Sequence, residues 1–372
     1  MSDVTKIIKF KVLITLMTLL SMGSTARADA HDPSLVCPEF SEGQFPEKNE
    51  RKIVGEHSAT LEVRWKSNEL MPQLRLGADA IERTLNDIIR VHFNYFGKPP
   101  EKIKLFQYPL NGGLGALYCK SYQTEDNAIT LLVSPITLES PKEFMRVVSH
   151  ELVHHWFYKS KKKQPTWLEE GTAYLLEYLT TSRLAGAPVI IHMENPWTSL
   201  TTPSTTLDIS VARASRDGHA QLFMSYLYRN LGDSFLSAYL RSTGSGMDSL
   251  SDSISTNIFG WTSIRDAFRD FQIAKWLNRI DYTQIDEVFA QRYFLFPTTI
   301  SHRNFKVDNV AIEAWSSVMV ENFRDLGRLR KPNHAYEDFI LIDSVQDPIY
   351  PTKVKSYVGN RTKQRIIRII YD

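Results

Sequence analysis

The sequence predicts an α+β chain: a mixed-sheet half, a helical half and a small β-rich C-terminal appendage. Three observations carry that class. Runs of strand length occupy residues 58–133 around a single helix, helical spacing dominates from residue 141 to about 292, and after residue 293 prolines punctuate short alternating runs.

The elements follow in order. Lys6, Lys9 and Lys11 precede an apolar run from Val12 to Met22 and then Ala26-Arg27-Ala28, a basic, apolar and small-x-small order that reads as a signal peptide over residues 1–28. The run falls short of the roughly 20 residues a bilayer requires. The expectation is therefore an exported chain, periplasmic or secreted, with no integral membrane span after cleavage. Residues 29–57 are polar, contain Pro and Gly, and read as an extended arm.

Ser58–Trp65 alternates as a strand. Leu74, Ala78, Ile81, Leu85, Ile88, Ile89 and Phe93 recur at helical spacing up to Phe96, where Gly97 stops the helix. Lys102–Gln107, Ala116–Lys120 and Ala128–Val133 are strand candidates. Ser140-Pro141-Lys142-Glu143 opens a helix with a Ser cap, Pro at the first position and Glu closing a capping box. Phe144, Val147, Val148, Leu152 and Trp156 give that helix its apolar stripe. A second capping box, Thr166 with Glu169, opens the next helix. Phe339–Asp343, Lys353–Val358 and Gln364–Tyr371 supply the terminal strands, so the chain divides into one large domain over 58–292 and a β-rich region over 293–372.

Charge excludes some partners. Of 44 basic and 42 acidic residues, cleavage after Ala28 removes four and one, leaving 40 and 41 and a net charge of −1. Nothing in that balance calls for nucleic acid or an anionic membrane. Lys161-Lys162-Lys163 is the one basic run and reads as a solvated loop, with a grip on acidic substrate as the alternative. The only cysteines, Cys37 and Cys119, both survive cleavage, and an even pair in an exported chain favours a disulfide. Two cysteines so far apart do not make a zinc site.

Inside the first of the two capped helices lies His150-Glu151-Leu152-Val153-His154. At 3.6 residues per turn, His150 and His154 share a face about one turn apart and can reach one metal ion, while Glu151 is turned by about 100° and flanks it as a base. His155 points about 140° from His150 and reads as a packing or hydrogen-bonding histidine. Catalytic zinc usually has three protein ligands and an open position. Glu170, in the first turn of the second helix, is the candidate third ligand, and Glu169 is read as the cap.

These residues resemble the gluzincin clan of zinc metallopeptidases. His150-Glu151-x-x-His154-x-Trp156-Phe157 followed by Trp167-Leu168-x-Glu170-Gly171-x-Ala173 is similar to the paired motifs of aminopeptidase N-like enzymes, over roughly residues 100–180. The resemblance implies a zincin-like domain over 58–292, one zinc ion held by His150, His154 and Glu170, Glu151 as general base, and hydrolysis of a peptide or protein substrate through a zinc-activated water. It also implies an oxyanion donor on a later helix. The segment Gly218–Gly232 resembles that helix without a Tyr at its start, leaving His219 as the candidate; a histidine near a helix start is the competing reading.

The departures bear on specificity. Where aminopeptidase N-like enzymes place an acid that holds the substrate's free amine, this chain has Gly115-Ala116-Leu117-Tyr118-Cys119. Met193-Glu194-Asn195 lies after the zinc motifs and is treated as a decoy. A typical aminopeptidase is therefore not the expectation. A non-catalytic scaffold of the cell envelope is the alternative, against which an intact Glu151 argues.

Overall fold

The structure is a computed structural model that describes residues 37–53, 59–68, 78–97, 100–110, 115–123, 128–160, 162–181, 188–189, 191–192, 195, 197–203, 207–254, 261–277, 315–321, 337–342, 348–349 and 365–370. The proposed signal segment, Lys161, Met193, Glu194 and Lys353–Val358 lie outside the described residues. The chain is α+β and forms two compact units, Met1–Ala187 and Pro188–Asp372.

The first unit holds a five-stranded sheet: β1 (Glu47–Ile53), β2 (Ala59–Trp65), β3 (Lys102–Gln107), β4 (Ala116–Tyr118) and β5 (Ala128–Val133), in the order β1-β2-β3-β5-β4. The inner pairs β2–β3 and β3–β5 are parallel, and the outer pairs β1–β2 and β4–β5 are antiparallel. Among the described residues four helices accompany it: α1 (Ala78–Phe96), the short α2 (Pro135–Glu139), α3 (Pro141–Ser160) and α4 (Thr166–Thr181).

The period-two alternation of the strands serves two cores. On one face Ile103, Leu105, Ile129 and Leu131 pack with Leu85, Ile88 and Ile89 of α1 and with Phe144, Val147, Val148 and Leu152 of α3. Each such side chain contributes about 1.5–3 kcal/mol on burial, so this core fixes α3 on the sheet. On the other face Phe106, Leu117, Leu132 and Cys119 pack with Phe45, Phe40 and Cys37 of the segment before β1. A disulfide joins Cys37 to Cys119, with Cα atoms 6.1 Å apart.

Two sequence expectations change here. Residues 47–53 were expected within an extended arm, but they form β1. Glu-Lys-Asn-Glu-Arg-Lys-Ile shows almost no apolar alternation because it is an edge strand, where charge is the usual protection. The strand expected over Ala116–Lys120 ends at Tyr118, and a single 3₁₀ turn follows at Lys120–Tyr122.

The second unit contains α5 (Ile209–Arg241), α6 (Gly246–Ser253) and α7 (Ile264–Leu277), followed by β6 (Ser316–Glu321), β7 (Glu337–Ile342), β8 (Pro348–Ile349) and β9 (Arg365–Ile370). The four strands form an antiparallel sheet in the order β6-β9-β7-β8. Gly232, expected to end a helix, has φ 70° and ψ −159°, so the first helical stretch of α5 closes there and a second runs on to Arg241.

Candidate metal centre

Every residue of the proposed ligand set lies in the first unit, on α3 and α4. Ser140 caps α3: its Oγ accepts from Glu143 N and its carbonyl from Phe144 N at 2.8 Å. The Glu143 carboxylate does not need to finish a capping box, since it accepts from Arg146 Nε at 2.9 Å. At α4 the first turn closes on the Pro165 carbonyl, which accepts from Leu168 N and Glu169 N. That leaves the Glu169 side chain, expected to cap, with its carboxylate 3.8 Å from His154 Nδ1.

His150 and His154 lie one turn apart with ring centroids separated by 5.1 Å. Glu170 spans them: one carboxylate oxygen lies 3.2 Å from His150 Nε2 and the other 3.2 Å from His154 Nε2. One ligand atom from each residue falls within 4.8 Å of the others, and all three side chains are buried. Outside this triangle each imidazole faces a second carboxylate through Nδ1, His154 toward Glu169 and His150 toward Glu177 at 3.3 Å. Tyr174 packs its ring edge against His150 at a centroid separation of 4.7 Å.

Electrostatics follow from that crowding. Burial alone would push His154 down, but Glu170, then Glu169 and Glu151, outweigh it and hold the ring well above the usual histidine range. Burial alone would push Glu170 up, but His154 and His150 outweigh it and hold its carboxyl well below the usual range. Four buried carboxylates, Glu151, Glu169, Glu170 and Glu177, thus gather around two imidazoles. Two imidazole nitrogens and a carboxylate converging in a site this rich in negative charge suit a divalent cation. The donor types are those of zinc with three protein ligands and one open position.

The neighbouring candidates separate. His155 points away from this group, with Nδ1 3.3 Å from the Tyr118 hydroxyl. Burial, with Lys159 adding to it, pushes the His155 pKa down to about 4. Tyr118 is the last residue of β4. Burial first, then Tyr158, Glu151 and Glu169, raise its phenol, so the ring stays neutral. His219 belongs to the second unit and has no exposed surface there. Its Nδ1 lies 3.0 Å from the Thr198 carbonyl and its Nε2 2.9 Å from Gln272 Nε2, while its ring stacks on His192 at 4.2 Å. Both ring nitrogens are engaged within that core. Burial, reinforced by Lys275, holds His219 well below the usual histidine range.

Sequence reasoning did not single out Glu177 or Arg146. Spacing was the available signal: Glu177 stands seven residues after Glu170 and Arg146 four before His150, each on the face of its helix that carries the ligand.

No family model matches this chain, and no curated protein matches it. Among solved structures it is similar to an M1 zinc metallopeptidase from Deinococcus radiodurans, at 18% identity and a TM-score of 0.39, over 59% of this chain and 50% of that one. It is also similar to an aminopeptidase N family protein from Idiomarina loihiensis, at 13% identity and a TM-score of 0.35, over 68% of this chain and 48% of that one. The chain spans about half the length of these structures.

Proposed function

We propose that this chain is an exported zinc metallopeptidase that hydrolyses a bond within a peptide or protein. The observation that carries the reading is the convergence of His150, His154 and Glu170 on one point beside an intact Glu151. A bound zinc ion supplies a Lewis acid for the substrate carbonyl and lowers the pKa of water toward about 7. Glu151, one residue along α3 from His150, takes the proton of the attacking water and returns it to the leaving amine. With zinc bound, His150 and His154 would ligate as neutral imidazoles and Glu170 as a carboxylate. The buried α3–α4 pair holds these groups on rigid helices, which limits the reorganisation required during reaction.

Specificity is proposed to differ from that of an aminopeptidase. In the sequence resemblance a buried, neutral Tyr118 stands where the acid that holds a free N-terminus would be, which supports substrates bound without that anchor. Export is supported by the disulfide, which persists in oxidising compartments, together with the basic and apolar N-terminus.

Glu151→Gln is the test. The variant is expected to keep stoichiometric zinc while chelator-sensitive cleavage of a mixed peptide library falls by at least about 100-fold, the lower range for loss of a general base. Cleavage at the wild-type rate would refute the assignment of the base. Stoichiometric zinc without chelator-sensitive cleavage in the wild type would favour a scaffold.

A further inference from the structure

We infer that His92 is a positioning residue for the metal centre: it acts through Ser149, the residue before His150, and so sets α3 against α4. The inference rests on reading His150, His154 and Glu170 as a zinc centre. Helix α1 carries none of those ligands. Yet His92 on α1 places Nε2 3.0 Å from Ser149 Oγ on α3, and that hydroxyl lies 2.9 Å from Thr180 Oγ1 on α4.

The direction of each bond follows from the last one. Thr180 Oγ1 donates to the Leu176 carbonyl at 2.7 Å, so its hydroxyl has only lone pairs left for Ser149. Ser149 therefore donates toward α4, with the Leu176 carbonyl at 3.4 Å as its other acceptor. Its own lone pairs are left to accept from His92, whose proton sits on Nε2. Burial keeps that imidazole neutral, with its pKa pushed down to about 3. The result is a one-way chain across three helices that crosses α3 at a wholly buried hydroxyl, one residue before the first ligand. A second tie from α1 lies two residues beyond His154, where Trp156 Nε1 donates to the Phe96 carbonyl at 3.2 Å. The two ties bracket the turn of α3 that presents both imidazoles. Glu170 reaches that turn from α4, and a ligand set of this kind has to be held within about 0.5 Å. The chain through Ser149 fixes the α4 side of that geometry.

Two variants break the chain at its ends: His92→Leu removes the donor, and Thr180→Val removes the final hydroxyl while keeping its shape. Each is expected to weaken zinc binding about 3- to 10-fold in competition with a chromogenic chelator, the worth of about one net hydrogen bond. His92→Gln, whose amide keeps an N–H where Nε2 stood, is expected to bind zinc as the wild type does. Co²⁺ in place of zinc gives a visible spectrum that reports coordination geometry, and it is expected to shift in His92→Leu but not in His92→Gln. Because Ser149 joins the two ends, their losses should not add, and the double variant should bind zinc about as weakly as either single one. If His92→Leu does not fold without metal, Thr180→Val and the His92→Gln comparison carry the test. Wild-type zinc affinity with an unshifted cobalt spectrum in the chain-breaking variants overturns the inference and leaves the metal centre standing. A wild-type protein that takes up no zinc overturns both.

Discussion

Replacing Cys37 and Cys119 together by Ala removes the disulfide between the segment preceding β1 and the residue that follows β4. The bridge closes a loop with a sequence separation of 82 residues. In the chain-entropy treatment a loop of that length restricts the unfolded chain by about 15 cal/mol/K, or about 4.5 kcal/mol at 25 °C. The native state adds a smaller loss, since Cys119 is fully buried among Phe45, Phe106, Leu117 and Leu132 and its sulfur leaves a gap. Global melting would mix the two units. Hydrogen exchange of the β4 and β5 amides reads the first unit by itself, and a 4.5 kcal/mol loss corresponds to exchange faster by about three decades. The wild type under reductant should match the double variant. Acceleration of less than about tenfold in both would refute the reasoning, because it would place the loop-closure cost elsewhere than in the unfolded first unit.

His92 is buried on α1, with Nε2 3.0 Å from Ser149 Oγ, and burial pushes its pKa down to about 3. The unfolded chain binds the extra proton between pH 6.5 and 3, so stability falls as pH falls through this window, by about 2 kcal/mol at pH 5; denaturant titrations at pH 7 and 5 should find that loss missing from His92→Gln. At Gly218 an added Cβ would lie 2.0 Å from the Pro188 carbonyl oxygen, which belongs to backbone and does not swing aside. Gly218→Ala should therefore lower the second unit's stability by about 1–3 kcal/mol in thermal unfolding, and a wild-type midpoint would show that the close approach is absent. Zinc at 100 times its dissociation constant should stabilise the protein by about 2.7 kcal/mol, a shift that chelator reverses and that Glu170→Ala largely abolishes; calorimetric scans with and without chelator check it.

The most legible elements were those whose physics is local. Lys102–Gln107 and Ala128–Val133 read as strands because inner parallel strands are buried on both faces and spell nearly continuous apolar runs. His150 and His154 read as a pair because helical spacing alone puts them on one face. Where partners come from distant sequence, local signals misled. Charged Glu47–Ile53 is a strand only because β2 pairs with it, through register that no periodicity records. Thr166 and Glu169 matched a capping box, yet the Pro165 carbonyl takes the first-turn donors and α3 draws the Glu169 carboxylate toward His154. His219 looked available near the start of a helix whose observed beginning is Ile209, ten residues earlier, so it sits well inside α5 and inside the second core.

The arrangement of carboxylates says how the labour of the site divides. Glu169, Glu170 and Glu177 all come from α4, and the two imidazoles from α3, so a single helix–helix contact sets both ligand geometry and the orientation of each ring. A shift of α4 along its axis would disturb Nε2 and Nδ1 contacts of both histidines together, which makes affinity for metal a cooperative property of the helix pair. The proposed base, Glu151, is carried by α3 alone and is independent of that register. Substitutions on α4 should then act chiefly on metal affinity, and Glu151 on turnover at full occupancy. Tyr118, carried by the sheet, meets α3 through His155 and Tyr158.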